Sequence, residues 1–314
     1  MSKTVVVAIG GNSLIIDDAH QTVADQYCAA EQTCRHLAAL LREPGLRLVV
    51  THGNGPQVGF ILRRSELASA TLHPVPLDSC VADTQGALGY QLQRALRNEF
   101  RRAGMSQQAV TVVTQVLVEA SDPAFRHPNK PIGSFMTREA AEAHRVQDGW
   151  DVAEDAGRGW RRLVSSPEPR AILEIDAVRC LVDAGFVVVA GGGGGIAVVE
   201  DHAGILTGAS AVVDKDLASS LLARQLGAEM LVISTAVEQV CLDLGKPSQR
   251  PIARMTVAEA KRYIGEGHFK PGSMLPKVEA AVRFLEGGGR ESLITDPAHL
   301  SAALSGRTGT KVVP

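Results

Sequence analysis

Aromatic residues make up only 4% of this 314-residue chain. Single-stranded nucleic acids are held by stacking bases on aromatic side chains, so that partner class is disfavoured. Neither sign of charge dominates: 32 Lys and Arg face 34 Asp and Glu, for a net charge of −2. That argues against a polyanionic partner and leaves room for a local basic pocket. The five cysteines, Cys28, Cys34, Cys80, Cys180 and Cys241, form no CxxC pair. A scattered, odd set reads as reduced thiols packed as small apolar groups in a cytoplasmic protein. No apolar run approaches the ~18 residues of a membrane span, and the chain opens on a strand rather than a basic leader, so neither signal peptide nor membrane contact is expected. There is no GxxxxGK[ST] loop, HExxH, GxSxG elbow or EF-hand loop, and no His/Cys group at zinc spacing. No protein metal site is therefore expected, and any Mg²⁺ would ride mainly on phosphates and water.

What is present is apolar bulk, at 45%, and glycine in three revealing places. Hydrophobic runs at Thr4 to Ala8, Leu46 to Val50 and Phe186 to Val189 each end in a glycine-rich turn. The turns are Ile9-Gly10-Gly11-Asn12, His52-Gly53-Asn54-Gly55-Pro56-Gln57-Val58-Gly59 and Gly191 to Gly195. A strand that ends in a turn without side chains lets backbone N–H groups approach an anion closely. Three such turns at the ends of parallel strands would line one sheet edge with phosphate-sized donors. The second turn is spaced GxGxxxG and so does not meet the dinucleotide fingerprint GxGxxG. A five-glycine run fixed to a core strand is better explained by close backbone approach to a ligand than by a linker. A packed loop histidine is the simpler account of His52.

Strands and helices alternate from the start, which implies an α/β fold with a parallel sheet and right-handed crossovers. Val23, Tyr27, Ala30, Cys34, Leu37, Ala38 and Leu41 form one helical face, and Thr22 with Asp25 has the spacing of a capping box. Further helices are expected at Val81 to Ala103, Ile172 to Ala184, Asp216 to Leu226, Thr256 to Gly265 and Val278 to Glu286. Further strands are expected at Val110 to Val118, Met230 to Thr235 and, last in the core, Ser292 to Thr295. Ser121 to Pro169 breaks the pattern, being polar and rich in Pro, Gly, Arg and Asp, and reads as a lobe projecting over the site. Its Arg158, Arg161 and Arg162 read as solvated surface.

Two lysines stand where a helix dipole would favour an acid. Lys215, in Asp214-Lys215-Asp216, opens one helix, and Lys277 follows Pro276 near the first turn of another. A bound phosphate would offset both, with Asp216 holding the two ammonium groups. Lys130, in Asn129-Lys130-Pro131, is a third candidate from the lobe. Solvated surface lysines and capping acids are the bland alternatives. Taken together, the residues suggest phosphoryl transfer.

The segments VVVAIGGNSL, THGNGPQVG, TQGALGYQLQRAL, NKPIGSF, GRGWRR, VVAGGGGGI, VVDKDLAS, GKPSQ and GSMLPKVEAA occur in order from Val5, followed by a terminal GT ending at Thr310. Together they resemble carbamate kinase, of the amino-acid kinase superfamily. The resemblance implies a three-layer αβα sandwich around a mainly parallel sheet, with a small projecting subdomain at 121–169, and a homodimer. It implies an acceptor half over 1–207, a nucleotide half over 208–314, and the reversible reaction ATP + carbamate = ADP + carbamoyl phosphate. By position, Gly10, Gly11, Asn12, Gly53, Asn54, Gly193 and Gly194 would cradle carbamate and the moving phosphoryl group. Lys215 and Lys277 would neutralise phosphate charge, Asp216 would orient them, and Lys130 would reach in. ADP would lie against Ala236, Val240, Met274 and Pro276. Ser134, Ser165 and Glu168 depart from the proline, proline and lysine the resemblance leads one to expect. A different acid or carbamoyl acceptor, or a non-catalytic nucleotide sensor, are the competing readings.

Overall fold

The computed structural model describes residues 3–10, 14, 19–155 and 157–314, with the side chain of Ser134 left aside. Its centre is an eight-stranded sheet. In spatial order the strands are Arg254–Thr256, Thr310–Val313, Glu291–Thr295, Met230–Ser234, Lys3–Ile9, Leu46–His52, Val187–Val189 and Ala109–Thr111. Neighbours run parallel except where Thr310–Val313 meets Glu291–Thr295. The apolar runs are continuous rather than alternating because both faces are covered. Val6, Val49, Val188, Leu231 and Ile233 pack on one side with Leu222, Val278 and Phe284 of the helices Lys215–Leu226 and Met274–Glu286. Val5, Val7, Leu48, Val50 and Val232 pack on the other with Leu37, Leu92, Leu96 and Phe100 of the helices Val23–Leu40 and Leu77–Arg102. This is the expected αβα sandwich.

Chain order places the site. From Lys3–Ile9 the chain first builds outward through Leu46–His52, then returns to lay Met230–Ser234 on the opposite flank. In such sheets a crevice opens beyond the carboxyl ends of the strands where the order reverses. Gly10 and Gly53 sit at those ends.

Several elements differ from expectation. The run from Val110 to Val118 is two strands in two sheets. Ala109–Thr111 edges the main sheet, while Gln115–Val118 joins a four-stranded sheet with Leu206–Gly208, Ile196–Glu200 and Pro169–Ile172. The break falls at Thr114, whose N–H donates to Gln85 Oε1 at 2.8 Å and whose carbonyl accepts from Gln85 Nε2 at 3.0 Å. A buried amide thus takes over backbone groups that a continuous ladder would use. Ile172 ends a strand, and the helix following it spans Ile175–Asp183. Glu291–Thr295 is followed by one more core strand, Thr310–Val313. The Thr22 capping box is present, but Val23 is exposed rather than inward. The lobe has its own structure: an antiparallel sheet ordered Lys130–Met136, Trp160–Val164, Asp151–Glu154, with the helix Arg138–Asp148 between strands in the chain.

Candidate active site

The chemistry of the crevice centres on one buried carboxylate. Asp216 is 3% exposed. Its Oδ1 accepts from Lys215 Nζ at 2.5 Å and its Oδ2 from Lys277 Nζ at 3.1 Å. Lys215 is the first residue of the helix Lys215–Leu226, and Lys277 comes from the first turns of Met274–Glu286. Pro276 is the third residue of that helix rather than the first, where its missing N–H still costs no intrahelical bond. Burial alone would raise the Asp216 pKa, but the two ammonium groups and their hydrogen bonds outweigh it and hold the carboxyl at about 2. Two positive charges and one negative leave a net positive centre at two helix N-termini, where N–H dipoles add to it. Such a centre suits a phosphoryl group.

Asp214 organises the approach. Its Oδ1 accepts the N–H of Asp216 at 2.9 Å and of Leu217 at 3.3 Å, capping the helix. Its Oδ2 pairs with Lys130 Nζ at 3.2 Å. The lobe thereby delivers a third lysine beside the first two, from the start of its own strand.

The glycine turns close against one another. A Cβ on Gly192 would lie 2.3 Å from His52 Nε2, one on Gly193 2.2 Å from Asn54 Nδ2, and one on Gly194 2.3 Å from the Val213 carbonyl oxygen. The close approach expected of this run is thus, in the described structure, to the chain's own groups. Gly194 N–H is bonded to the Gly191 carbonyl at 3.1 Å, and Gly53 N–H to that of Ile9 at 3.1 Å. Neither is a free donor, which corrects the expectation that both offer their amides to phosphate. They act by letting the strand ends pack. His52 is a packed residue, 1% exposed, with Nδ1 3.0 Å from the Gly53 carbonyl oxygen. Burial, with help from the Lys215 charge and against that hydrogen bond, lowers its pKa to about 4, so the ring is neutral at pH 7.

Gly11 and Asn12 lie outside the described residues. Gly10 is at its expected place, its Cβ position 3.3 Å from the Ser234 carbonyl oxygen. Ala236 is exposed just beyond the strand Met230–Ser234, and Met274 and Pro276 are half-buried on the helix that carries Lys277. Val240 is fully buried in the core, with its N–H bonded to Thr310 Oγ1 at 2.8 Å, so its side chain cannot line an open nucleotide site.

Comparison with known proteins gives the family. The profile of the amino acid kinase family matches residues 3–296. The chain belongs to the amino acid kinase family. It is 50% identical to the carbamate kinase-like protein YahI of Escherichia coli K12, over 100% of this chain and 99% of that one. It is 42% identical to the carbamate kinase of Thermococcus kodakarensis, over 99% of both. Among solved structures it resembles the Giardia lamblia carbamate kinase bound to AMP-PNP, with a TM-score of 0.92, 37% identity and coverage of 99% of this chain and 98% of the other.

In this amino acid kinase, several supporting residues escape sequence reasoning. Thr84 Oγ1 accepts from Asn54 Nδ2 at 2.8 Å, Gln85 Nε2 donates to the Gly192 carbonyl at 2.9 Å, and the hydroxyls of Thr51 and Ser219 lie 2.6 Å apart. These buried bonds fix the turns from beneath. Polar residues on the inward side of the long helix Leu77–Arg102 were the available signal, since buried polar groups must find partners.

Proposed function

We propose that this chain is a carbamate kinase, a phosphotransferase that interconverts ATP plus carbamate with ADP plus carbamoyl phosphate. The observation that carries the reading is the Lys215–Asp216–Lys277 centre, set beside the glycine turns with Lys130 within the same cluster. A carbamate oxygen already bears negative charge, so it needs no strong general base. It attacks the γ-phosphorus of ATP, and the P–O bond to the β-phosphate breaks in line. The protein's part is alignment and charge stabilisation. Lys215 and Lys277 offset charge on the transferring group, Asp216 holds their ammonium groups in place, and Lys130 leaves Asp214 to meet the acceptor side.

The relatives' names support ATP or ADP as the nucleotide. Among the described residues no group of three or more His, Cys, Asp or Glu could hold a metal. Asp214 and Asp216, the carboxylates at the centre, are engaged by lysines. That donor set fits Mg²⁺ arriving on the nucleotide phosphates, where it would neutralise charge on them. We place the acceptor half at 1–207, with the lobe at 121–169, and the nucleotide half at 208–314. Ala236, Met274 and Pro276 lie toward the adenine side of this arrangement. A cytoplasmic homodimer working in the direction of ATP synthesis, in the breakdown of nitrogen compounds such as arginine, completes the reading. No described helix is long and apolar enough to cross a membrane.

The test is ³¹P NMR of the purified protein with Mg·ADP and carbamoyl phosphate. Appearance of the ATP β-phosphate signal as carbamoyl phosphate is consumed is the expected result. Transfer from acetyl phosphate but not from carbamoyl phosphate would overturn the acceptor assignment.

A further inference from the structure

Where the helix Gly55–Ala68 meets the lobe lies a cavity of about 340 Å³, and none of Lys130, Lys215, Asp216 and Lys277 lines it. That is within the range of small-molecule sites, about 300–1,000 Å³. Leu62, Ile132, Phe135, Met136 and Ala140 give it an apolar lining. The charged residues on its wall are Arg63, Glu66 and Arg162. Arg63 and Glu66 pair with each other at 3.7 Å. His144, also on the wall, stacks on Trp150 at 4.2 Å between ring centroids and is paired with Asp148 at 2.6 Å.

Arg162 is the unmatched group. Its guanidinium lies over the Trp150 ring, 4.5 Å from the centroid, and is half-buried. Among the described residues no carboxylate comes within ion-pair distance of it. Burial lowers its pKa, with Glu66 and Asp148 opposing from farther away. A half-buried guanidinium over an indole, with no carboxylate at ion-pair distance among the described residues, is placed to take an anion from the cavity. Its planar fork matches a carboxylate. Glu66 on the same wall disfavours a dianion such as phosphate, so a monoanion with an apolar body fits both the charge and the lining.

We propose that this cavity is an effector site for a small organic monocarboxylate with a compact apolar body. The ligand's carboxylate is held by Arg162 and its body by Leu62, Ile132 and Met136. The site touches both elements that feed the catalytic centre. The strand Lys130–Met136 starts at the lobe lysine, and the helix Gly55–Ala68 starts immediately after Asn54. The two elements meet at Gly59 and Gly133, where a Cβ on Gly59 would lie 2.7 Å from Gly133 Cα. With the backbones in contact there, a ligand wedged beside that junction shifts the strand that carries Lys130.

Saturation-transfer NMR with isovalerate and phenylacetate, titrated into the full-length protein, tests the site. The neutral control is 3-methylbutan-1-ol. Both carboxylates should bind saturably and the alcohol should not, and saturating Mg·ADP should leave binding in place. Arg162→Met should weaken binding by about tenfold or more, as for losing a charged hydrogen-bonding partner, while heat stabilisation by ADP is kept. Leu62→Trp, a substitution on the helix rather than in the lobe sheet, fills the cavity and should abolish the signal with heat stabilisation by ADP kept, which guards against a misfolded lobe in the first variant. No saturable binding of either carboxylate, displacement by Mg·ADP, or binding unchanged in both variants would overturn the proposal. The readout is binding, so it stands apart from which acceptor is phosphorylated.

Discussion

Asp216 shows how one side chain can tie several elements together. Its carboxylate joins two helix N-termini through lysines that would otherwise repel each other and oppose the helix dipoles. Sequence reasoning recognises these residues because lysines at helix starts need an explanation, and Asp216 supplies part of it even without a phosphate. Asp216→Ala should leave two buried ammonium groups unmatched and cost about 3–5 kcal/mol, read as a lowered denaturant midpoint. The depressed pKa of Asp216 makes its contribution complete above pH 3.8 and lost as pH falls through about 2. His52 acts in a different window. Its folded pKa is about 4 against an ordinary 6.5, so nothing changes above pH 6.5. Between 6.5 and about 4 the unfolded chain takes up a proton that the folded chain refuses. Stability falls across that window by about 3 kcal/mol from this group. His52→Gln should flatten that part of the stability–pH curve, and an unchanged slope would show that the ring is not held neutral.

At the scale of elements, glycine positions carry the information, for reasons the sequence shows only in part. That Gly191 to Gly195 needed close approach was legible from a glycine run fixed to a core strand. Which groups come close was not, because His52, Asn54, Val213 and Val116 lie far away in sequence. The split of the 110–118 run was hidden for the same reason, since Gln85, about thirty residues earlier, breaks the ladder at Thr114. Arg161 and Arg162 read as solvated surface in the sequence. Yet Arg161 donates to the Gly133 carbonyl at 3.2 Å and pairs with Asp155 at 2.9 Å, and Arg162 lines a cavity. Gly59→Ala should force the Gly133 backbone away and cost about 1–3 kcal/mol as an overpacking change. Because the displaced strand starts at Lys130, turnover should fall while ADP binding is retained. Turnover at the wild-type level with the same ADP affinity would count against a part for Lys130 in the reaction.

Across the whole molecule, the sandwich was readable because parallel strands covered on both faces leave continuous apolar runs, as at Val5 to Ile9 and Leu48 to Val50. The lobe was legible as a break in composition, but its sheet was not, since short antiparallel strands such as Asp151–Glu154 carry little apolar signal. Two of the departures from the carbamate kinase pattern lie where the lobe returns to the main body. Glu168 pairs with Arg283 on the helix that carries Lys277, and Ser165 is buried with its carbonyl bonded to the Val212 N–H at 3.0 Å. Neither touches Asp216. If nucleotide binds the half that holds Lys215 and Lys277, Mg·ADP at a hundred times its dissociation constant should stabilise the fold by about 2.7 kcal/mol, seen as a raised melting temperature. Absence of any shift would contradict a nucleotide site there.

The most direct test compares ATP synthesis from carbamoyl phosphate and Mg·ADP in the wild-type protein and in Lys277→Ala. Loss of an electrostatic stabiliser should lower kcat by about a hundredfold or more, while folding, followed by thermal denaturation, is retained. Rapid ATP formation that collapses in the variant is the predicted result. Near-normal turnover in Lys277→Ala would contradict the claim that the Lys215–Asp216–Lys277 centre carries the phosphoryl group.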